Sequence, residues 1–131
     1  MIGHDLLLSN SGNHLTAVAV DAFNADITDA GAIDVMGTVA GGLHVNATAV
    51  GQSINSALKT GSATLAASSG IAMVGMNQLG TLSASSGGAI SVNDTGASLT
   101  LGYISTPGFV GGAIGRRIAA GQWHLAVIRV P

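Results

Sequence analysis

Along most of the chain, apolar and polar residues alternate in short runs, and most runs are bracketed by Gly, Asn, Asp or Ser. Ala32-Ile33-Asp34-Val35, Gly42-Leu43-His44-Val45-Asn46-Ala47 and Ser62-Ala63-Thr64-Leu65-Ala66-Ala67 are the first clear examples. Gly70-Ile71-Ala72-Met73, Gly80-Thr81-Leu82-Ser83-Ala84, Ala89-Ile90-Ser91-Val92 and Ser98-Leu99-Thr100-Leu101 continue the series. A period of two is the β-strand period, because successive side chains leave a strand on opposite faces. The bracketing residues are those that turns require. The pattern predicts separate strands of about three to six residues. It points Ile33, Val35, Leu43, Val45, Leu65, Ile71, Met73, Leu82, Ile90, Val92, Leu99 and Leu101 into a core, and His44 and Thr64 outward.

The runs also recur. Leu43-His44-Val45-Asn46-Ala47 and Ala63-Thr64-Leu65-Ala66-Ala67 lie 20 residues apart, and Thr81-Leu82-Ser83-Ala84 follows about one such step later. Gly70-Ile71-Ala72-Met73 and Ala89-Ile90-Ser91-Val92 are separated by a similar step. A longer echo, at 65 residues, relates Asp29-Ala30-Gly31-Ala32 to Asp94-Thr95-Gly96-Ala97 and Gly37-Thr38-Val39 to Gly102-Tyr103-Ile104; it reads as roughly three coils. One coil of ~20 residues cannot bury its own apolar row, whereas stacked coils can, with strands ~4.8 Å apart. The predicted fold is therefore all-β, a right-handed parallel β-helix (β-solenoid) with coils of about 20 residues. A β-sandwich is the competing architecture, but it usually has longer strands, more aromatic residues and less Ala.

Two segments depart from the pattern and set the expected organisation. Residues 1–16 read as an N-terminal cap or lead-in strand, residues 17–106 as the solenoid repeats, and residues 107–131 as a C-terminal cap or non-repeat tail. The tail holds Arg116, Arg117 and Arg129, three of the four basic residues, together with the only Trp, Trp123. Solenoid ends expose unpaired strand edges and an open core, so they need cover.

Composition sharpens this reading. Charged residues make up 8% of the 131, against about a quarter in an ordinary globular domain, and there is no Glu. Aromatic residues make up 3%, which suits a narrow interior filled by Ala, Val, Ile and Leu. Disorder is excluded, because disordered segments are rich in charge and poor in β-branched residues. A net charge of −2 offers nothing to nucleic acid, and the absence of Cys removes thiolate and disulfide chemistry. Met1-Ile2-Gly3-His4-Asp5 has no basic n-region, and Leu6-Leu7-Leu8 is too short for an h-region, so no signal peptide is predicted. No run of ~18 apolar residues predicts a membrane span.

The stretch from about Val20 to Thr106 resembles the repeat region of large filamentous-haemagglutinin-like exoproteins and related autotransporter passengers. The phrases that carry the resemblance are Gly42-Leu43-His44-Val45-Asn46-Ala47, Gln52-Ser53 through Gly70-Ile71, and Gly80-Thr81-Leu82 through Leu101-Gly102. The resemblance covers about two thirds of the chain. It implies a parallel β-helix, secretion or cell-surface display, and the role of an adhesin stalk. Its motifs specify architecture and carry no site. Separately, unpaired solenoid edges and a net charge of −2, which gives little repulsion, predict a homo-oligomer or filament, and host or cell-surface carbohydrate or protein is the expected partner.

Chemistry-bearing residues are sparse. Asp21, Asn24, Asp26 and Asp29 are dense enough in oxygen to suggest Ca²⁺, but the glycine-rich G-G-x-G-x-D repeat is missing and turn-forming Asp is the better reading. His4, His14, His44 and His124 show no metal-ligand spacing. There is no G-x-S-x-G, and Asp26, Asp29 and Asp34 lack the aromatic platforms that a polysaccharide-active enzyme uses. Asn46-Ala47-Thr48 and Asn93-Asp94-Thr95 fit the glycosylation pattern, as chance allows in an Asn- and Thr-rich chain. Arg116-Arg117 is too short for a nucleic-acid patch. No catalytic, cofactor-binding or metal residue is assigned, and no enzyme is expected. The alternative is a carbohydrate- or ice-binding module, for which Phe23, Tyr103, Phe109 and Trp123 are the only aromatic residues and no Thr-x-Thr occurs.

Overall fold

The structure is a computed structural model and describes residues 4–53, 55–88, 90–94, 100–106, 109–111, 115–117 and 123–127. The described residues are all strand, turn and irregular structure, with no helix. The strands are β1 (Leu6–Leu8), β2 (Ala17–Ala22), β3 (Ala25–Thr28), β4 (Ala32–Gly51), β5 (Leu58–Ser86), β6 (Ile90–Asp94), β7 (Thr100–Thr106), β8 (Phe109–Gly111), β9 (Gly115–Arg117) and β10 (Trp123–Val127).

Parallel pairing at near-constant offset makes these strands a β-solenoid of about 5 turns, about 19 residues apart. Leu6 pairs with Ala25, Ala25 with Leu43, and Leu43 with Ala63, which gives steps of 19, 18 and 20 residues. Pairing runs along three lines. The first holds β1, β3 and the stretches 42–47 and 62–67 of β4 and β5, and continues through 81–85 to β7. The second sets 49–51 against 70–72 and then 71–73 against β6. The third sets 20–22 against 37–39 and 37–39 against 58–60.

Where the sequence pattern predicts separate short strands, β4 and β5 run on for 20 and 29 residues. Ordinary strands run 3–10 residues, so these two bend round the corners of a coil while keeping their pairing. The corners are visible as register shifts between Val39 and Gly42 and between Ala47 and Ala49. The 65-residue echo does not stack. Asp29 sits just after β3, whereas Asp94 ends β6 and pairs with Asn77. Sixty-five is not a multiple of the coil length, so the two matches fall at different corners.

Columns of apolar side chains fill the interior. Leu8, Ile27, Val45 and Leu65 follow one another in register, as do Val50, Ile71 and Ile90. Ile33, Val35, Leu43, Val45, Leu65, Ile71, Met73, Leu82, Ile90 and Val92 are all buried, as the alternation predicts. Leu99, and the side chain of Leu101, lie outside the described residues. The core also takes Val20, Ile27, Val39, Val50, Leu58 and Leu79, with Ala at narrow points such as Ala25, Ala63 and Ala84.

Gly37 is fixed by backbone geometry. Its φ is 118°, a region closed to L side chains, and a Cβ there would run into the Val20 carbonyl of the previous coil. Gly37→Ala is expected to lower stability by about 3 kcal/mol or more, read from denaturant midpoints, because strain and overlap add. A midpoint within experimental error of the parent would show that this corner relaxes freely.

Candidate functional site

The carboxylates that cluster in sequence are dispersed by the fold. Asp29 is buried at the turn after β3, where it accepts from the Leu15 N–H at 2.8 Å and the Gly31 N–H at 3.1 Å. It holds residues 9–16 against the first coil. Asn13 assists by donating to the Leu8 and Thr28 carbonyls. Asn24 donates to Asp5 and accepts from the Gly42 N–H at 3.0 Å. Asp21 is exposed on β2, and Asp34 is half-buried beside Gly51. Asp29, Asn13 and Asn24 thus satisfy backbone at turns and corners. Among the described residues no group of three or more His, Cys, Asp or Glu converges as a metal ion would need.

Among the described residues, Asp26 and His44 are a pair of titratable side chains that meet. Asp26 and His44 occupy paired positions on the first line, with Oδ1 and Nδ1 3.2 Å apart. Thr64 is the next residue up the same column. The order Asp, His, hydroxyl has the sequence of a hydrolytic triad. However, no hydrogen bond joins the His44 ring to Thr64, and both partners of the ion pair are about half exposed. A triad needs a nucleophile within hydrogen-bond reach of its base, and preorganised donors for the developing oxyanion. Among the described residues nothing of that kind surrounds this column, and a contact so exposed contributes little to stability.

His4 and His14 are exposed and apart from this pair. His124 lies in β10 opposite Asn93, and Arg116 and Arg117 lie in β9; their side chains fall outside the described residues. Asn46 is exposed, so the first glycosylation match is accessible. In the second, Asn93 donates to the Gly75 carbonyl at 2.9 Å and Asp94 is fully buried, while Thr95 lies outside the described residues. Phe23 and Tyr103 are exposed but belong to the first coil and to β7, so they form no common platform. The side chains of Phe109 and Trp123 lie outside the described residues.

The outer face of the first line is rich in hydroxyls. Thr64, Thr81, Ser83 and Ser85 project there, with Thr100 paired to Thr81 and Ser105 to Ser85. The second line carries a shallow groove of about 500 Å³ with a floor of Ala32, Ala49, Gly51, Gly70 and Ala72; Asp34 is the one charged residue lining it.

The most ordered polar cluster is internal and was not singled out by the sequence. Gln52 and Asn77 form a reciprocal amide pair: Gln52 Nε2 donates to Asn77 Oδ1 at 2.7 Å, and Asn77 Nδ2 donates to Gln52 Oε1 at 2.9 Å. Asn77 Oδ1 also accepts from the Leu58 N–H, and Gln52 Oε1 from the Gly75 N–H. Asn77 Nδ2 reaches the Asn93 carbonyl, and Asp94 accepts from the Leu79 N–H at 2.8 Å. The cluster lies between the end of β4 at Gly51 and the start of β5 at Leu58, in a coil lengthened to the 21 residues that separate Val50 from Ile71. Side-chain amides there replace the missing ladder. Asn and Gln at alternating positions look like surface residues in sequence, and that they turn inward shows only in the structure, beside the break between β4 and β5.

Among the described residues no helix is long and apolar enough to cross a membrane. No protein-family model, curated protein or solved structure matches the chain, so its shown relationship is one of fold alone, a parallel β-solenoid.

Proposed function

We propose that the chain is a structural or adhesive β-solenoid segment, with a surface made for contact rather than for catalysis. The observation that carries this reading is the way its polar groups are used. Those that meet in the interior, Gln52, Asn77 and Asp94, satisfy backbone and one another, and those outside are spread along the outward positions of the strands. A catalytic site concentrates titratable groups in a concave, water-poor place. The resemblance to haemagglutinin-like repeats supports the same role and adds secretion or surface display as part of the proposal. The test is retention of the purified, immobilised chain on intact cells and on a panel of surface polysaccharides, scored beside reducing-end release from the same polysaccharides. Retention without release is the expected result. Release that depends on Asp26 or His44 would replace this reading with an enzymatic one.

A second reading rests on the hydroxyl-rich outer face of the first line. Thr64, Ser83 and Ser85 present donors and acceptors on a flat, regular surface, which suits a carbohydrate chain. Polysaccharide binding abolished by Thr64→Lys, with melting unchanged, would favour this reading over a purely structural one.

A further inference from the structure

The two ends of the solenoid differ. At the far end the last rungs are covered by antiparallel strands: β10 lies on β6, with Trp123 opposite Asp94 and Val127 opposite Ile90, and β8 lies on β7. At the near end, β1 pairs only with β3 and β2 only with β4 among the described strands. Leu6, Leu8 and Val18 are only partly buried, while their partners one coil on, Ala25, Ile27 and Val35, are buried. Leu7 is 66% exposed. Among the described residues the near end is therefore a half-covered core behind an open strand edge.

From this difference we infer that two copies of the chain associate through their near ends, β1 against β1, as a closed two-fold dimer. The inference rests on the structural reading above and names its partner. The argument begins with hydrogen-bond direction. The Leu6 N–H donates to the Asn24 carbonyl, toward β3. Backbone groups alternate along a strand, so the N–H and C=O of Leu7 point the other way, to the open edge. A two-fold axis at Leu7 lets the two copies exchange both of these bonds as one hydrogen-bonded antiparallel pair. Antiparallel addition to a parallel rung already occurs within this molecule, where β10 lies on β6. The axis also sets Leu6 opposite the partner's Leu8, which continues the half-covered core across the contact. The edge is weakly defended. Asp5 and Asp21 are the charged residues of its strands and flanks, and three consecutive leucines occupy β1 itself. An isologous contact of this kind uses up the open edge of both copies and closes. The near-end contact is isologous, so each copy takes one partner through it and the contact closes at two.

Light scattering after size exclusion, over a dilution series of the full chain, tests this. The expected particle has twice the chain mass and dissociates on dilution. Leu7→Lys places like charges directly across the axis, and Leu7→Pro deletes the outward N–H while leaving the Leu6 bond to Asn24 in place. Both are expected to give monomers that melt as the parent does once dilution has dissociated it, because the Leu7 side chain is exposed within one copy. A monomeric parent, a dimer that survives both substitutions, or growth beyond two would each overturn the inference. None of those outcomes bears on the polysaccharide-release assay, which alone decides against a structural role.

Discussion

Leu65→Asp is expected to leave the chain unfolded, or to destabilise it by several kcal/mol. Leu65 is buried in the middle of the stack, in register with Val45 before it, on a line of pairing that runs through every coil. A carboxylate at that point has no described polar partner within its column and no route to water. An unpaired charge in a dry interior costs several kcal/mol even after it takes up a proton. Total stabilities of about 5–15 kcal/mol leave little margin for that loss. A solenoid concentrates the damage, because each coil is held only by its neighbours and a failed rung separates those on either side. Thr64→Ala, one residue away on the outer face, is the control and is expected to change stability by less than about 0.5 kcal/mol. Denaturant unfolding of both variants decides. If Leu65→Asp melts like the parent, the inward and outward faces have been exchanged, since a slip of one residue reverses every side chain on a strand.

The core was legible wherever alternation was clean. Ile33, Leu43, Val45, Leu65, Ile71 and Val92 lie in runs flanked by Gly or Ser, and each points inward. The coil length was legible for the same reason, since a stacked fold repeats its apolar positions at the coil period. Val39, Leu58 and Leu79 were harder to see. They belong to the third line, where Gly37, Lys59, Asn77 and Gln78 break the pattern and an inward position is polar twice, at Thr60 and Asn77. The false 65-residue echo has a related cause. Asp and Gly are common turn residues, so a match of Asp-x-Gly-Ala points to a turn without saying which one. As to a site, the sequence correctly separated His44 from the core but gave no sign that it meets Asp26. That contact exists because the coil between them happens to be 18 residues long.

Asn77→Leu is the substitution expected to expose how this fold tolerates an irregular coil. In branching it is conservative, and by sequence it places a better core residue at a fully buried position. The hydrogen bonds argue the other way. Asn77 Oδ1 serves both the Leu58 N–H and Gln52 Nε2, and its Nδ2 serves Gln52 Oε1 and the Asn93 carbonyl. Leucine strands several of these buried groups at once, at about 1–3 kcal/mol for each left unsatisfied. A loss of about 3–5 kcal/mol is expected, with the damage centred on residues 52–58 and 75–79. Gln52→Leu alone is expected to cost a comparable amount, because it leaves the Gly75 N–H and the Asn77 amide without their partner. The double substitution is expected to cost clearly less than the two singles combined, since removing both members of a reciprocal pair strands fewer groups than removing either one. A double-mutant cycle from denaturant unfolding measures this coupling. Strictly additive losses would mean that the amide pair is two independent contacts rather than a unit standing in for a missing stretch of β-ladder.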